Sequence, residues 1–327
     1  MFSKLLVPLD RSRLAEQALG PAAAIARTSN ALIDVVLVHQ PLPFAGFEDA
    51  PWNAALLTEE QRYVETIAQE LATGASVGPT HTVLRGEPVE AICQRARDTG
   101  AELVVMTSHG RTGLSRAWLG SVADGVMRRS AVPVLMLRPT GEARERAGGR
   151  QPFKRILVPL DGSALAAEML PSGVALAAAS GARLMLLRVV QPVPLITPAV
   201  DMPYAFTTPL QDDAATERLV DEAKRELAGV EESLNRQGLA EIDAYVVVAA
   251  HVAQAIIDFA HGHSADVIAI STHGRGASRL IVGSVADKVL RASGLPMLIR
   301  RPGAARHERS LVTSEAIEKQ LPALSKT

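Results

Sequence analysis

Two glycine-rich stretches carry the residue types in this chain that are best suited to bind an anion. "TSHGRTGLSRAWLGSV" (residues 107–122) follows the apolar run "AELVVM", and "STHGRGASRLIVGSV" recurs at residues 271–285. Glycine lets backbone N–H groups come close to a ligand, and a helix that begins at Ser121 or Ser284 offers its positive end to a phosphate. The pattern therefore indicates a phosphate-binding loop in each half of the chain.

The same serines also have a purely structural interpretation. "SVAD" at 121–124 and at 284–287 has the spacing of a capping box. In that motif the serine caps the helix and the acid three residues later reaches back to the cap. The two interpretations are compatible, and the spacing alone leaves both open.

An aspartate at the end of the first apolar run of each half is the second candidate. Asp10 ends "VPLD" in "VPLDRS", and Asp161 does the same in "VPLDGS". At this edge of nucleotide-binding sheets a carboxylate often accepts hydrogen bonds from ribose hydroxyls. An aspartate two residues before a serine is also a good helix start, because either side chain can cap exposed N–H groups.

Other reactive side chains have no recognisable partners in the sequence. His109 and His273 precede the loop glycines, but no nucleophile or carboxylate is arranged with them. The "HGH" at 261–263 lacks further ligands at metal-site spacing, and Cys93 reads as an ordinary buried side chain. We therefore expect no catalytic residue and no metal held by protein side chains.

A parallel sheet must position these loops. The first half has continuous apolar runs, as strands covered on both faces require, at 5–9, 32–38, 103–106 and 133–137. A further strand is predicted near 80–84, and helices are predicted at 12–29, 58–74 and 87–100, the last with Pro88 in its first turn. The alternation predicts an α/β fold of two tandem Rossmann-like domains, each a doubly wound, mainly parallel five-stranded sheet with helices on both faces.

The second domain follows from an internal duplication. "KLLVPLDRS" matches "RILVPLDGS", and "GSVADGVMRRSAVPVLMLRP" matches "GSVADKVLRASGLPMLIRRP". The charged, glycine-containing stretch between the halves is typical of an exposed linker. We predict a first domain at 1–139, a linker at 140–152, a second domain at 153–302 and a C-terminal tail at 303–327.

Composition argues against several classes of protein. The net charge is −1, which gives no electrostatic footprint for nucleic acid or an anionic membrane. No apolar run approaches the roughly 20 residues that a membrane-spanning helix needs, and the first residues do not resemble a signal peptide. With one cysteine the chain has no internal disulfide, so we expect a cytoplasmic protein.

Taken in order, the "VPLD", "HGR", "GSVAD" and "VPVLMLRP" motifs resemble the universal stress protein (UspA) domain, present in tandem over nearly the whole chain. ATP-binding members of that family carry G-x-x-G, nine residues, then G-S or G-T. Gly110, Gly120 and Ser121 match this pattern, with Thr107 in place of the leading glycine.

The second half matches the same pattern less well. Gly274, Gly283 and Ser284 fit it, but Ser271 replaces the leading glycine and eight residues instead of nine intervene. The third loop also changes from "RGEPVE" at 85–90 to "AAHVAQ" at 249–254, which removes a flexible turn and a positive charge. Both differences favour the first half as the better binder.

The resemblance implies a ligand, ATP or a related adenine nucleotide, with Mg²⁺ accompanying the ATP. It places adenine near the backbone of Val38 and Val189, and the phosphates near Arg111 and Arg275. The candidate binding set is completed by the residues that flank the aspartates and serines, namely Pro8, Leu9, Val122, Pro159, Leu160 and Val285.

We therefore expect a stress-response module that binds adenine nucleotide mainly in its first domain and acts through changed conformation or partner choice. The alternative is the same fold without nucleotide, acting through protein–protein contacts. Slow ATP hydrolysis ranks last, because no general base and no complete Walker loop is present. The apolar last strands of the two halves are expected to pair with each other, and two chains to form a homodimer.

Overall fold

The computed structural model describes residues 1–41, 51–73, 78–108, 119–139, 153–195, 211–239, 241–272 and 283–301. Four of the predicted binding residues, Gly110, Arg111, Gly274 and Arg275, lie outside these ranges. The predicted linker at 140–152 and the tail at 303–327 also lie outside them.

The first half contains five strands and five helices within the described residues. They are β1 (Lys4–Leu9), α1 (Arg13–Glu16), α2 (Leu19–Ser29), β2 (Leu32–His39), α3 (Pro51–Ala72), β3 (Thr80–Arg85), α4 (Pro88–Asp98), β4 (Leu103–Thr107), α5 (Ser121–Arg129) and β5 (Val134–Leu137).

The second half repeats this order. Its elements are β6 (Arg155–Pro159), α6 (Ala164–Ala167), α7 (Leu170–Ser180), β7 (Arg183–Val190), α8 (Asp213–Arg236), β8 (Ile242–Val248), α9 (Val252–Gly262), β9 (Val267–Ser271), α10 (Ser284–Ala292) and β10 (Met297–Arg300).

The strands form one sheet in the order β3-β2-β1-β4-β5-β10-β9-β6-β7-β8. Pairing is parallel within each half, whereas β5 and β10 run antiparallel, with Leu135 opposite Leu298. The predicted fold of two five-stranded, mainly parallel α/β units is thereby confirmed.

Two helix predictions were wrong in extent. The stretch predicted as one helix at 12–29 is divided into α1 and α2, because Pro21 has no N–H to donate to the carbonyl of Gln17. The helix predicted from residue 58 begins at Pro51, where a proline suits the first helical position. Pro88 begins α4, as predicted.

Apolar layers cover both faces of the sheet. One buried cluster joins the sheet to α2, α3, α7 and α8, and the other joins it to α4, α5, α9 and α10. Each cluster contains residues from both halves, and α2 packs against α7. The two halves therefore share their hydrophobic layers as well as their sheet.

A shared core predicts that the halves unfold together. Leu184 of β7 is fully buried, and its replacement by alanine should lower the free energy of unfolding by about 2–5 kcal/mol. Both tryptophans, Trp52 and Trp118, belong to the first half, so their fluorescence reports on the half that is not mutated.

In urea unfolding of Leu184→Ala, the tryptophan transition should shift to lower denaturant together with the circular dichroism transition. The matched control is Leu219→Ala, which truncates the same side chain at a site 41% exposed and should shift neither transition. An unshifted tryptophan transition in Leu184→Ala would show that the halves unfold independently.

Candidate functional site

A cleft of about 260 Å³ lies at the carboxyl ends of β1, β2 and β4. The chain passes from β1 to β2 and β3 on one side and to β4 and β5 on the other, so the cleft lies at the topological switch point of the first half. Eight predicted binding residues line it, namely Pro8, Leu9, Asp10, Val38, Thr107, Gly120, Ser121 and Val122.

Seven further residues of the cleft wall were not named as predicted binding residues, although Pro88 and Ser108 lie in the stretches 85–90 and 107–122 that the sequence singled out. They are Ala15, Gln40, Pro88, Ile92, Met106, Ser108 and Ala123. Pro88 and Ile92, one turn apart on α4, form an apolar surface with Met106 and Val38. The signal for this surface was the apolar spacing of α4, which the sequence analysis used only to predict a helix.

Equivalent glutamines after β2 and β7 make different contacts in the two halves. Gln40, just after β2, is exposed and lines the cleft. Its counterpart after β7, Gln191, donates a hydrogen bond from Nε2 to the carbonyl oxygen of Ala250 at 3.0 Å. The carboxamide of Gln191 thus holds a loop in the second half, whereas that of Gln40 lines the cleft in the first half.

The start of α5 shows that the capping-box interpretation was wrong. Gly120 is the N-cap, no side chain caps the helix, and Ser121 is the first helical residue. Asp124, which the box would turn back to the cap, instead accepts a hydrogen bond from Arg128 at 2.8 Å. The N–H of the observed N-cap, Gly120, donates to the carbonyl of Ser108 instead of to a carboxylate.

The second half repeats this arrangement. Gly283 is the N-cap of α10, Ser284 is its first residue, and Asp287 pairs with Arg291 at 2.9 Å. Capping therefore explains neither serine. Each serine lies at the positive end of a nine-residue helix, where a phosphate oxygen would be stabilised.

Short hydrogen bonds fix the base of the first glycine loop. The N–H of Gly120 donates to the carbonyl of Ser108 at 2.8 Å, and the N–H of Ser108 donates to the carbonyl of Leu137 in β5 at 2.9 Å. We call these three residues the first loop base. They hold the start of α5 against the end of β4, which keeps the helix end directed at the cleft.

The corresponding second loop base consists of Thr272, Gly283 and Arg300. The N–H of Gly283 donates to the carbonyl of Thr272 at 2.5 Å, and the N–H of Thr272 donates to the carbonyl of Arg300 in β10 at 2.9 Å. Beside it, the buried Oγ of Ser271 has no hydrogen-bond partner among the residues that the structure describes. Such a hydroxyl is unusual, because most buried polar groups in proteins are hydrogen-bonded.

The aspartates that follow β1 and β6 shape their own loops. Asp10 accepts a hydrogen bond from the N–H of Ser12 at 3.0 Å, and Ser12 in turn caps α1 through the N–H of Ala15. Asp161 and Ser163 repeat the arrangement. The predicted helix-start role is confirmed. Asp10 also lines the cleft, and its predicted role toward ribose hydroxyls stays a prediction.

The remaining predicted residues of the second half occupy equivalent places. β6 lies between β7 and β9, and α10 begins beside the end of β9. The structure places them at the carboxyl ends of these strands and at the start of α10: Pro159, Leu160, Asp161, Val189, Ser271, Gly283, Ser284 and Val285.

Arginines differ in position between the two aspartate loops. In the first half Arg11 follows Asp10 and forms an ion pair with Glu59 of α3 at 3.4 Å. In the second half Gly162 takes this place, and the guanidinium of Arg188 from β7 lies where a Cβ of residue 162 would be. Gly162 has a positive φ of 78°, a conformation that favours glycine, although Arg11 adopts a similar φ of 69° at the equivalent position of the first half.

The architecture of two Rossmann-like units joined in one sheet can be compared with that of known proteins. A family model described as the universal stress protein family matches residues 1–138 and 152–301. The chain therefore belongs to the universal stress protein family, in tandem form. A universal stress protein of Methanocaldococcus jannaschii is 30% identical over 141 residues, which cover 42% of this chain and 83% of the relative.

A second relative matches one half of the chain, and a solved structure matches nearly the whole chain. A universal stress protein of Thermus aquaticus is 31% identical over 139 residues, covering 42% of this chain and 100% of the relative. The crystal structure of a universal stress protein from Archaeoglobus fulgidus covers 92% of this chain with a TM-score of 0.62 at 20% identity, a likeness of fold.

Two kinds of feature are absent from the described residues. Among them, no helix is both long and apolar enough to cross a membrane. In the same part of the chain, no group of three or more His, Cys, Asp or Glu side chains is arranged to hold a metal ion.

The position of Ser121 within α5 predicts how its loss affects stability. Because the hydroxyl caps nothing, Ser121→Ala should leave the free energy of unfolding within about 0.5 kcal/mol of the parent value. The control is Ser12→Ala, which removes an observed cap and should lower that free energy by about 1 kcal/mol. Chemical denaturation measures both, and equal losses would restore the capping interpretation for Ser121.

Cys93 lies behind Ile92 on α4 and is 2% exposed. Burial raises the pKa of its thiol from 9.0 to about 11, so very little thiolate is present at pH 8. We expect no reaction of the folded protein with a thiol-specific chromogenic reagent at pH 8, and full reaction in urea. Rapid labelling of the native chain would contradict the packing of α4.

Proposed function

We propose that this universal stress protein binds ATP or a related adenine nucleotide, mainly in its first half, and acts in the cytoplasm as a stress-response regulatory module. The observation that supports this proposal most directly is the cleft at the β1–β4 switch point, lined by all eight predicted first-half residues within the described ranges. Its volume of about 260 Å³ lies just below the range of small-molecule sites, about 300–1,000 Å³.

The chemistry of the cleft suits the parts of a nucleotide. Val38, Pro88, Ile92 and Met106 offer an apolar surface to a planar base, and the exposed Gln40 offers both a donor and an acceptor to its edge. Val38 on β2, Gln40 just after β2, and Pro88 and Ile92 on α4 lie on the β2 side of the cleft, whereas Met106 of β4 lies across from them. The base would therefore enter between the end of β2 and the first turns of α4.

The sugar and phosphates would follow toward the other side. Asp10 provides a carboxylate for the ribose hydroxyls at the end of β1. The first N–H groups of α5 and the hydroxyl of Ser121 would donate hydrogen bonds to a phosphate, and the helix dipole would add to the attraction. Mg²⁺ would arrive bound to the phosphates and keep most of its waters.

Nucleotide occupancy is proposed to be weaker in the second half. Its loop is one residue shorter, Gln191 is held by Ala250, and Arg188 and Gly162 occupy the positions of Leu37 and Arg11 in the first half. The unpartnered hydroxyl of Ser271 keeps one polar contact available there.

Assembly belongs to the same proposal. The antiparallel pairing of β5 with β10 would hold the two halves as a unit in solution, as the sheet requires. The described sheet then ends at β3 and β8, and a homodimer of two chains would form from surfaces other than β5 and β10. Sedimentation equilibrium tests this part, and a strictly monomeric protein would remove the homodimer from the proposal.

The released ligand gives the most direct test. Freshly purified protein, without added nucleotide, is denatured and the supernatant is analysed by chromatography and mass spectrometry. About one adenine nucleotide per chain would support an occupied first site, and about two would show that the shorter loop also binds. Absence of nucleotide together with no heat on titration with Mg-ATP would favour the alternative, an interaction protein without nucleotide.

Matched glycine variants separate the two sites. Gly120 and Gly283 have nearly the same backbone conformation, with φ of −59° and −56°, which valine can adopt. In calorimetric titration with Mg-ATP, Gly120→Val should weaken binding by about tenfold or more, because its side chain blocks the approach to the helix end. Gly283→Val should leave the tighter site unchanged, and equal effects of the two variants would contradict a dominant first site.

A further inference from the structure

The two phosphate-facing helices, α5 and α10, are linked across the boundary between the halves. Each is followed by the strand that pairs with its counterpart, since β5 follows α5, β10 follows α10, and these two strands are antiparallel neighbours. The C-terminal ends of both helices therefore lie near the same boundary, while their N-terminal ends face separate sites.

Each helix is capped at its C-terminal end by an arginine from the other half. Arg138, directly after β5, donates a hydrogen bond to the carbonyl of Leu290 in the last turn of α10. Arg301, directly after β10, donates from Nη1 to the carbonyl of Arg128 in the last turn of α5 at 3.2 Å. The last carbonyls of a helix have no donors within it, and a cation is favoured there by the helix dipole.

These arginines are adjacent in sequence to the loop bases. Arg138 follows Leu137, whose carbonyl holds the first loop base, and Arg301 follows Arg300, whose carbonyl holds the second. The contacts therefore link the two sites in both directions. The first loop base holds α5, whose C-terminal end bonds to Arg301 beside the second loop base. The second loop base holds α10, whose C-terminal end bonds to Arg138 beside the first loop base.

Charges on the two helices also act on each other across the boundary. The hydrogen bond that Arg128 donates to Asp124 is the main cause that raises the pKa of Arg128, and the charge of Asp287 of α10 raises it further. Likewise, Asp287 is the main cause that raises the pKa of Arg291, and Asp124 of α5 contributes. Each guanidinium is thus stabilised by a carboxylate of its own helix and by one from the other half.

We propose that the two sites are energetically coupled: ligand bound at the Gly120 end of α5 alters the Gly283 end of α10, and the reverse, through Arg301 and Arg138. This coupling rests on the proposed nucleotide binding. A phosphate attracted to the N-terminal N–H groups of α5 orders or shifts a rigid helix, and the carbonyl of Arg128 moves with it. Arg301 follows that carbonyl, and its neighbour Arg300 carries the change to the second loop base.

Hydrogen exchange measured by mass spectrometry tests the coupling in the full chain. Gly283→Val serves as the background, because it blocks direct binding at the second site and leaves the first site intact. Saturating Mg-ATP should slow exchange in residues 121–129 and also in residues 284–292, the latter by about fivefold or more, the lower range of coupling between sites. Adding Arg301→Leu should abolish the effect on 284–292 and retain the effect on 121–129.

Two further variants separate coupling from a general loss of arginine. Arg301→Lys keeps a cationic donor and should restore part of the response in residues 284–292. Arg155→Leu is the matched control, because Arg155 donates to the carbonyl of Ser264 at 2.9 Å within the second half alone. It should leave the response of α10 unchanged.

The outcomes distinguish the two proposals. Slower exchange in α5 with no change in α10 would overturn the coupling and leave nucleotide binding standing. A response of α10 that survives Arg301→Leu would also overturn it, since Arg301 would then not carry the effect. If Mg-ATP changes neither helix and calorimetry detects no binding, the proposed function fails and the coupling fails with it.

Discussion

The antiparallel contact between β5 and β10 is the constraint on which the rest of this molecule depends. Each half builds a parallel sheet that would end at an apolar strand with unpaired N–H and C=O groups on its outer edge. Such an edge requires a partner or a cover, and the duplicated chain supplies the partner from within. The pairing also brings α2 against α7 and merges the apolar layers of both halves.

The same contact determines how the candidate sites are held. Because β5 and β10 meet, Arg138 and Arg301 reach the C-terminal ends of the opposite helices, and the loop bases hold the N-terminal ends. Gly120 and Gly283 then act as N-caps whose own N–H groups bond to the preceding strand ends. The serines that follow need not cap their helices, which leaves their hydroxyls at the positive helix ends where an anion would bind.

The two halves share one plan but use it differently. In the first half, Gln40 lies at the cleft and Leu37 lies in the core, whereas in the second half Gln191 holds a loop and Arg188 replaces the buried leucine. The guanidinium of Arg188 occupies the space that a Cβ at residue 162 would take. Duplication with such changes retains the fold, since the sheet and its apolar layers are shared, and it allows the two sites to differ in affinity.

The sequence by itself determined the fold class, the ten strands and the predicted first-half residues that line the cleft. Continuous apolar runs identify buried parallel strands, and local turn chemistry at Asp10 and Pro88 determines where chain segments end and helices begin. The internal repeat made each assignment twice, which strengthened the prediction of two Rossmann-like units.

Only the tertiary structure decided that Gly120, not Ser121, caps α5, because the answer depends on the bond from the cap N–H to Ser108, just after β4. It also decided that Gln40 and Ile92 belong to the cleft and that Arg138 and Arg301 cross to the opposite half. These contacts join residues far apart in the chain. Local spacing carries no information about them, because they depend on how packed strands and helices are placed in space.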